Sequence, residues 1–299
     1  MSFLDFNDEL QTIEILEKEN KKLNNKIFKL SSELERLSID NKIKDEFISN
    51  IYHEIRTPLN IILSAVQLYE SKISDENFIS EDNSYKYLKT IKNSCYHMLK
   101  IANNIIDTNK LESGYFGLKI KNYNIVSIIE DVTLLTREYA KAKGIEVIFD
   151  TEDEEIILAC DIDKIERIIM NLLSNAIKFT HEGGIIKVTI YKEKDSIVVS
   201  VKDSGVGIDK EKQKFLFNRY YKAHDKNKII AKGSGIGLSL VKLLVEQHSG
   251  KIKVDSEEGK GTEFKIYFPN ANLEEKTNYN IIREDKIREE LQVELSDIM

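Results

Sequence analysis

The sequence predicts an α+β chain in which an N-terminal coiled coil runs into a dimeric four-helix bundle, with an α/β sandwich domain behind it. Three observations carry this reading. A heptad repeat of apolar residues extends from Ile13 to Ile55, a second apolar-striped helix follows, and from about Tyr123 short alternating strands and helices replace the long repeat. The 299 residues suit about two domains at roughly 150 residues each. With 41% hydrophobic and 32% charged residues, the balance is globular and excludes a fully disordered chain and an integral membrane protein.

In the first segment Ile13 sets position a, Leu16, Leu23, Leu30 and Leu37 fall at d, and Asn20 and Asn41 fall at a, where a buried Asn fixes register and pairing. A parallel two-stranded coiled coil over residues 1–43 is expected. A single amphipathic helix on a globular core is the alternative, but Glu, Lys and Asn surround the seam on every other side. The phase continues through Ile48, Ile51 and Ile55, so the helix runs into His53-Glu54-Ile55-Arg56-Thr57-Pro58, with His53 at f, facing outward. Pro58 lacks the amide that an interior helical residue donates, so a kink and a freed carbonyl about one turn earlier, near His53, are expected. A polar stretch, 72–83, ends this helix. The next carries Leu88, Ile91, Cys95, Met98, Ala102 and Ile105 on one stripe and stops at Gly114. Two such helices bury too little alone, whereas two hairpins make a four-helix bundle over residues 44–114, so a homodimer is expected.

A hinge linker is expected at 115–122, and a second domain at 123–270. Its elements are a helix near Val126–Lys141, strands at Ile145–Phe149 and Ile156–Cys160, and a helix capped by Asp161 with Ile165, Ile168, Ile169, Leu172, Leu173 and Ala176 on its apolar face. A hairpin follows, Ile185–Tyr191 and Ile197–Val201 turning at Lys194-Asp195-Ser196, then a helix from Gly237 to Gln247, and strands near Lys251–Val254 and Glu263–Phe268. The sheet should be mostly antiparallel. Residues 271–299 form a highly charged tail whose weak stripe, Ile287, Leu291, Leu295 and Ile298, predicts a frayed or loosely docked helix.

The longest apolar run is five residues, Ile156 to Cys160, far short of the roughly 20 a membrane-spanning helix needs, and the start Met1-Ser2-Phe3-Leu4-Asp5 lacks the features of a signal peptide. No direct membrane span is expected. A net charge of −7 speaks against nucleic acid as a partner. Cys95 and Cys160, each among apolar residues, read as buried free thiols in a reducing compartment, with the cytoplasm as the expected location.

Of five histidines, His53 has the best claim to chemistry, since it faces outward, Glu54 beside it is a proton acceptor, and Pro58 distorts the helix nearby; His97, also outward, has neither companion. Asn171, Asn175 and Lys178, at i, i+4 and i+7, share one helix face. Their carboxamide oxygens suit Mg²⁺ and the ammonium suits phosphate. Asp203-Ser204-Gly205-Val206-Gly207-Ile208 and Gly233-Ser234-Gly235-Ile236-Gly237-Leu238 are glycine-rich turns that bring backbone amides near phosphate. Asp203, at a strand end, suits an adenine amino group. The polar stretch Asn218 to Lys232 fits a lid over a nucleotide.

Residues 44–270 resemble the sensor histidine kinases of bacterial two-component systems, with a HisKA-type phosphoacceptor domain and a GHKL-type ATP-binding domain. His53 to Asn60 is similar to the phosphoacceptor box, Asn171 to Thr180 to the N box, and Asp203 to Ile208 and Gly233 to Leu238 to the first and second glycine boxes. Phe215-Leu216-Phe217 with Arg219-Tyr220-Tyr221-Lys222 resembles the F box, and Gly259-Lys260-Gly261-Thr262 the last glycine box. The resemblance implies that ATP and Mg²⁺ are the cofactors, that His53 accepts the γ-phosphoryl group, that Glu54 serves as base, and that Thr57 orients a water that dephosphorylates a partner. It implies that Asn175 holds Mg²⁺, that Asn171 and Lys178 support the phosphates, and that Asp203 contacts adenine. Phe179, Gly205, Gly207, Ile208, Tyr221, Lys222, Gly233, Ser234, Gly235, Ile236, Gly237, Leu238 and Thr262 complete the nucleotide site it implies. Its partners would be a second copy of the chain and the receiver domain of a response regulator, and an upstream sensor protein would supply the input. Three rival readings are an ATP-binding pseudokinase scaffold acting through its coiled coil, against which the intact His53-Glu54 pair argues; a chaperone- or topoisomerase-type ATPase, which has no use for that pair; and a kinase whose main act is to remove phosphate from its regulator, which Thr57 leaves open.

Overall fold

The computed structural model describes residues 3–73, 81–112, 117–218, 235–271, 273 and 283–298. It divides into two compact units, Met1–Tyr52 and His53–Met299. Helix α1 is assigned over Phe3–Ile73 and includes Pro58 without ending there. In the first unit the d-position side chains Leu16, Leu23, Leu30 and Leu37 are all more than half exposed, so one chain leaves the seam uncovered.

In the second unit α1 is followed by α2 (Glu81–Glu112), β1 (Lys121–Asn124), α3 (Ile125–Lys141), β2 (Glu146–Thr151) and β3 (Ile157–Cys160). Then come α4 (Ile162–Phe179), β4 (Ile185–Glu193), β5 (Ser196–Asp203), α5 (Lys210–Gln213), α6 (Gly237–Gln247), β6 (Lys251–Glu257), β7 (Gly261–Pro269) and α7 (Glu284–Glu294). Five strands form one sheet in the order β2-β4-β5-β7-β6, with only the β2–β4 pair parallel. Helices α3, α4 and α6 pack on it, against β2, β5 and β6 respectively. The expected sandwich is therefore present.

Its core follows from the two periodicities. On β4 the alternate residues Ile186, Val188 and Ile190 are fully buried, and on α4 the stripe Ile165, Ile168, Ile169, Leu172 and Leu173 meets them. Each such side chain contributes about 1.5–3 kcal/mol by leaving water. The β4–β5 hairpin turns where expected, Glu193 pairing with Ser196 and Lys194 taking a left-handed φ of 53°. His248 is a satisfied core histidine, its Nδ1 2.7 Å from the Leu244 carbonyl and its Nε2 accepting from the Asp161 amide at 3.1 Å.

Several expectations need correction. Lys121 and Asn122, read as linker, open strand β1, which pairs with β3; the Asn122 side chain bonds the backbone of Leu273 on both its groups. Asp161 precedes α4 as expected, but its carboxylate does not cap the helix and instead accepts from the Lys119 amide at 2.9 Å. Cys160 is buried, its thiol pushed up to about 12 by burial, whereas Cys95 is exposed. The reason lies in which face of α2 the domain covers. Ser94, Ile101, Asn104 and Asp107 are buried there, on the helix that meets α7, α4 and α6, so Leu88, Cys95 and Ala102 of the apolar stripe stay exposed while Ile91, Met98 and Ile105 are half-buried. For the same reason His97 is half-buried rather than outward, and burial lowers its pKa below the ordinary value.

The charged tail departs furthest from expectation. Helix α7 is docked, with Ile287, Leu291 and Leu295 buried in the same core as α3 and α4. Its docking rests on charges the local pattern does not reveal: Arg283 and Lys286 pair with Asp163 and Glu166 on the first turns of α4.

Candidate active site

His53 is exposed on α1 and Glu54 beside it is half-buried. The Thr57 hydroxyl donates to the His53 carbonyl at 3.0 Å, a back-bond within the helix, while the carbonyl that Pro58 leaves without its amide donor is that of Glu54, one residue on. Pro58 itself is buried. The phosphoacceptor-like box is thus helical, with its histidine on the solvent side.

A second group of residues forms where α4, the β5 end and the start of α6 converge. Asn171 is buried, and a Cβ added to Gly237 would lie 2.8 Å from its carboxamide oxygen, so the N-box helix and the first residue of α6 touch. Asn175 donates from Nδ2 to Asn171 Oδ1 at 3.3 Å, which turns its own carboxamide oxygen away from that bond. Among the described residues no side chain caps helix α6, whose N-cap position is Ile236. Lys178 lies 5.7 Å from the centroid of the Phe179 ring, and burial lowers its pKa.

Asp203 is 7% exposed, and burial raises its pKa against two opposing bonds, from the amides of Gly205 at 2.8 Å and Thr262 at 3.3 Å. Both bonds fall on one carboxylate oxygen; among the described residues none donates to the other. Register explains the pairing, because Asp203 and Thr262 are direct neighbours across β5 and β7. Thr262 Oγ1 lies 2.9 Å from Ser256 Oγ, which accepts from the Ile208 amide at 2.8 Å. The first and last glycine turns are therefore stitched together.

Their glycines have a reason beyond a ligand's approach. A Cβ at Gly205 would stand 2.4 Å from the Phe179 carbonyl, and one at Gly207, whose φ is +66°, would stand 1.9 Å from the Glu257 carbonyl. Backbone packs on backbone there. In the second glycine turn, Gly235 has a φ of +67°, Ile236 is buried and Leu238 packs against the core. Tyr221, Lys222, Gly233, Ser234 and all of the expected lid beyond Asn218 lie outside the described residues. The structure thus brings Asn171, Asn175, Lys178, Phe179 and Gly237 together, and joins Asp203, Gly205, Gly207, Ile208 and Thr262 to them through Phe179.

Sequence reasoning missed four members of this neighbourhood. Glu294 accepts from Asn171 Nδ2 at 3.3 Å, Asp297 pairs with Lys178 at 3.2 Å, Lys100 of α2 pairs with both acids, and Arg167 joins α4 to Asp107 and Asn104 of α2. The stripe on α7 signalled a helix but not which groups it would meet.

Comparison with known proteins gives two family matches in chain order. Residues 43–114 match the His Kinase A (phospho-acceptor) domain, and residues 160–272 match the histidine kinase-, DNA gyrase B- and HSP90-like ATPase. Histidine kinase P4 of Formosa agariphila is 36% identical over 84% of this chain and 18% of its own length. Sensor protein GacS of Pseudomonas syringae pv. syringae is 34% identical over 80% of this chain and 27% of its own. The chain therefore spans less than a third of either relative. Among solved structures, the Acinetobacter baumannii histidine kinase AdeS is similar with a TM-score of 0.55 at 19% identity, covering 74% of this chain and 98% of that one. Histidine kinase ThkA, solved in complex with the response regulator protein TrrA, is similar with a TM-score of 0.54 at 24% identity, over 76% of this chain and 61% of that one. At these identities the two structures speak for the fold.

Proposed function

The chain belongs to the sensor histidine kinases, and from that premise we propose that it is an ATP-dependent autokinase: His53 takes the γ-phosphoryl group of ATP and passes it to an aspartate of a response regulator's receiver domain. The observation that carries the proposal is the coexistence of an exposed His53 with Glu54 at its side and a carboxamide-and-ammonium face, Asn171, Asn175 and Lys178, against the start of α6. The first is a nucleophile with a base. The second is a triphosphate site.

The donor set fits a nucleotide and a hard divalent cation. The carboxamide oxygen of Asn175 turns away from Asn171, and hard oxygen of this kind is what Mg²⁺ prefers while it keeps waters and phosphate oxygens in its shell. Bound Mg²⁺ supplies charge that offsets the triphosphate as the leaving group departs. Lys178 and the α6 amides stabilise the same charge, and the second oxygen of Asp203 accepts from the adenine amino group. A neutral imidazole nitrogen of His53 attacks in line, the N–P bond forms as the bridging β,γ P–O bond breaks, and ADP leaves. Glu54 holds the proton on the other ring nitrogen. Thr57 orients the water for the reverse duty, dephosphorylation of the regulator.

In this reading residues 1–43 are the signalling coiled coil, 44–114 the dimerisation and phosphotransfer domain, 115–120 the hinge and 121–270 the nucleotide domain, which β1 opens, in a cytoplasmic homodimer with an upstream sensor as partner. The open Leu23, Leu30 and Leu37 on α1 support the homodimer, since apolar seams of this length call for a covering surface. Incubation with ATP labelled at the γ-phosphate tests the proposal. Label that survives alkali, is lost in acid and is absent from His53→Gln is expected. Bound ATP with no label on the wild-type chain would favour the scaffold reading.

A further inference from the structure

Helix α7 runs beside α4, and its two ends are held differently. At the start, Arg283 and Lys286 grip Asp163 and Glu166. Along the middle, Ile287, Leu291 and Leu295 are buried. At the far end the contacts become anionic: Glu294 accepts from Asn171 Nδ2 at 3.3 Å, its carbonyl accepts from Ser174 Oγ at 3.3 Å, and Asp297 sits 3.2 Å from Lys178. Lys100 of α2 closes the arrangement, 2.7 Å from the other oxygen of Asp297 and 3.3 Å from Glu294.

Asn171 and Lys178 are the groups assigned above to the triphosphate. Here two carboxylates from the same chain hold them. The Asp297 side chain is only 7% exposed and lies between two ammonium groups, and both lysine side chains are 15% exposed. Such a desolvated triad is a poor source of net stability compared with apolar packing, and its best-attested use is to specify one of two states. Three buried apolar residues are also a small anchor for a segment of this length, which places it among the elements that open locally.

We propose that residues 283–298 are a built-in competitor of the nucleotide's triphosphate, in which Glu294 and Asp297 occupy Asn171 and Lys178 while Lys100 ties the segment to the phosphotransfer helix α2, so that the kinase is autoinhibited while the segment is docked. This rests on the reading of Asn171 and Lys178 as nucleotide-binding groups. Binding of Mg·nucleotide and docking of α7 then exclude one another, and any partner that lifts α7 activates the enzyme. The same contact that blocks the phosphate groups also fixes the nucleotide domain against α2, so release frees both at once.

Calorimetric titration of the full chain with Mg·ADP tests this in three variants. Glu294→Gln combined with Asp297→Asn removes the anions and keeps the shape, and about tenfold tighter binding than wild type is expected. Leu291→Asp lifts α7 without touching a charged contact and should give a gain of the same size. Lys100→Met cuts only the α2 side and should give a smaller gain. In the wild-type chain, saturating Mg·ADP should speed hydrogen exchange of the α7 amides. Equal affinities across all four proteins, or α7 exchange unmoved by bound nucleotide, would overturn the proposal alone; no binding by any of them would overturn the site reading and the proposal with it.

Discussion

Gly207 illustrates what a single position decides. Its φ of +66° and the Glu257 carbonyl 1.9 Å from where a Cβ would stand leave no room for any other residue. Gly207→Ala is expected to lower stability by roughly 1–3 kcal/mol, the range for forcing an L-residue into a left-handed, crowded site, and a thermal melt of the full chain checks it. A melt within experimental error of wild type would mean that the turn relaxes freely. At this scale the sequence was informative about residue types and less so about their duties. Glycine boxes read as ligand cradles turn out to be backbone-packing positions as well, because the Phe179 and Glu257 carbonyls that crowd them come from elements many residues away. Asp203 was legible as a polar residue at a strand end. Its bond to the Thr262 amide was not, since that depends on the β5–β7 register across 59 residues.

Elements with strong periodicity were legible and those held by charge were not. Helix α4 and strand β4 declare themselves by buried stripes of period 3.6 and 2, β5 is buried on both faces from Ile197 to Val201, and α6 falls at Gly237–Gln247 as read. Strand β1 has four residues with two asparagines, too short and polar for any pattern. Helix α7 has a stripe, but its docking depends on Asp163, Glu166, Lys178 and Lys100, none of them local. These charges give the element a pH signature. Burial alone would raise the Asp297 carboxyl, but Lys100 and Lys178 outweigh it and bring it down to about 2. A folded value below the unfolded one adds stability that is present above the unfolded range and lost as pH falls through the folded value. For this shift that amounts to about 2 kcal/mol, lost between roughly pH 4 and pH 2. Glu166 runs the other way, pushed up to about 7 by burial against the pull of Arg283 and Lys286. Its contribution is complete below its unfolded value and is lost as pH rises through about 7. Thermal midpoints should therefore fall on both sides of a maximum near pH 4–5. Glu166→Gln should flatten the high-pH side, and Asp297→Asn should make the acid side shallower, where Asp163, which burial would raise but Lys286 and Arg283 bring down to about 2, keeps part of the slope; unchanged limbs in these variants would refute the assignment.

For the whole molecule, both domain types and their order were legible because six short boxes and a heptad repeat agree with one another. The face by which the nucleotide domain meets α2 was not. The apolar stripe of α2 reads as the bundle face and says nothing of the domain, which takes the side with Ser94, Asn104 and Asp107 and leaves Leu88, Cys95 and Ala102 of the stripe exposed. Together with the open d positions of α1, that leaves apolar surface on both helices for a second chain. Leu23→Lys combined with Leu30→Lys should shift sedimentation from dimer toward monomer while leaving nucleotide affinity unchanged; a wild-type sedimentation profile would show that the coiled-coil seam does not pair chains.

The measurement that bears most directly on the kinase reading is peptide mapping, at alkaline pH, of the chain after incubation with Mg·ATP. Phosphate on the His53 imidazole, absent from His53→Gln and from Asn175→Ala, is the expected result, and it links the two sites in one reaction. Phosphate on another residue, or ATP hydrolysed with no phosphate on the protein, would contradict it.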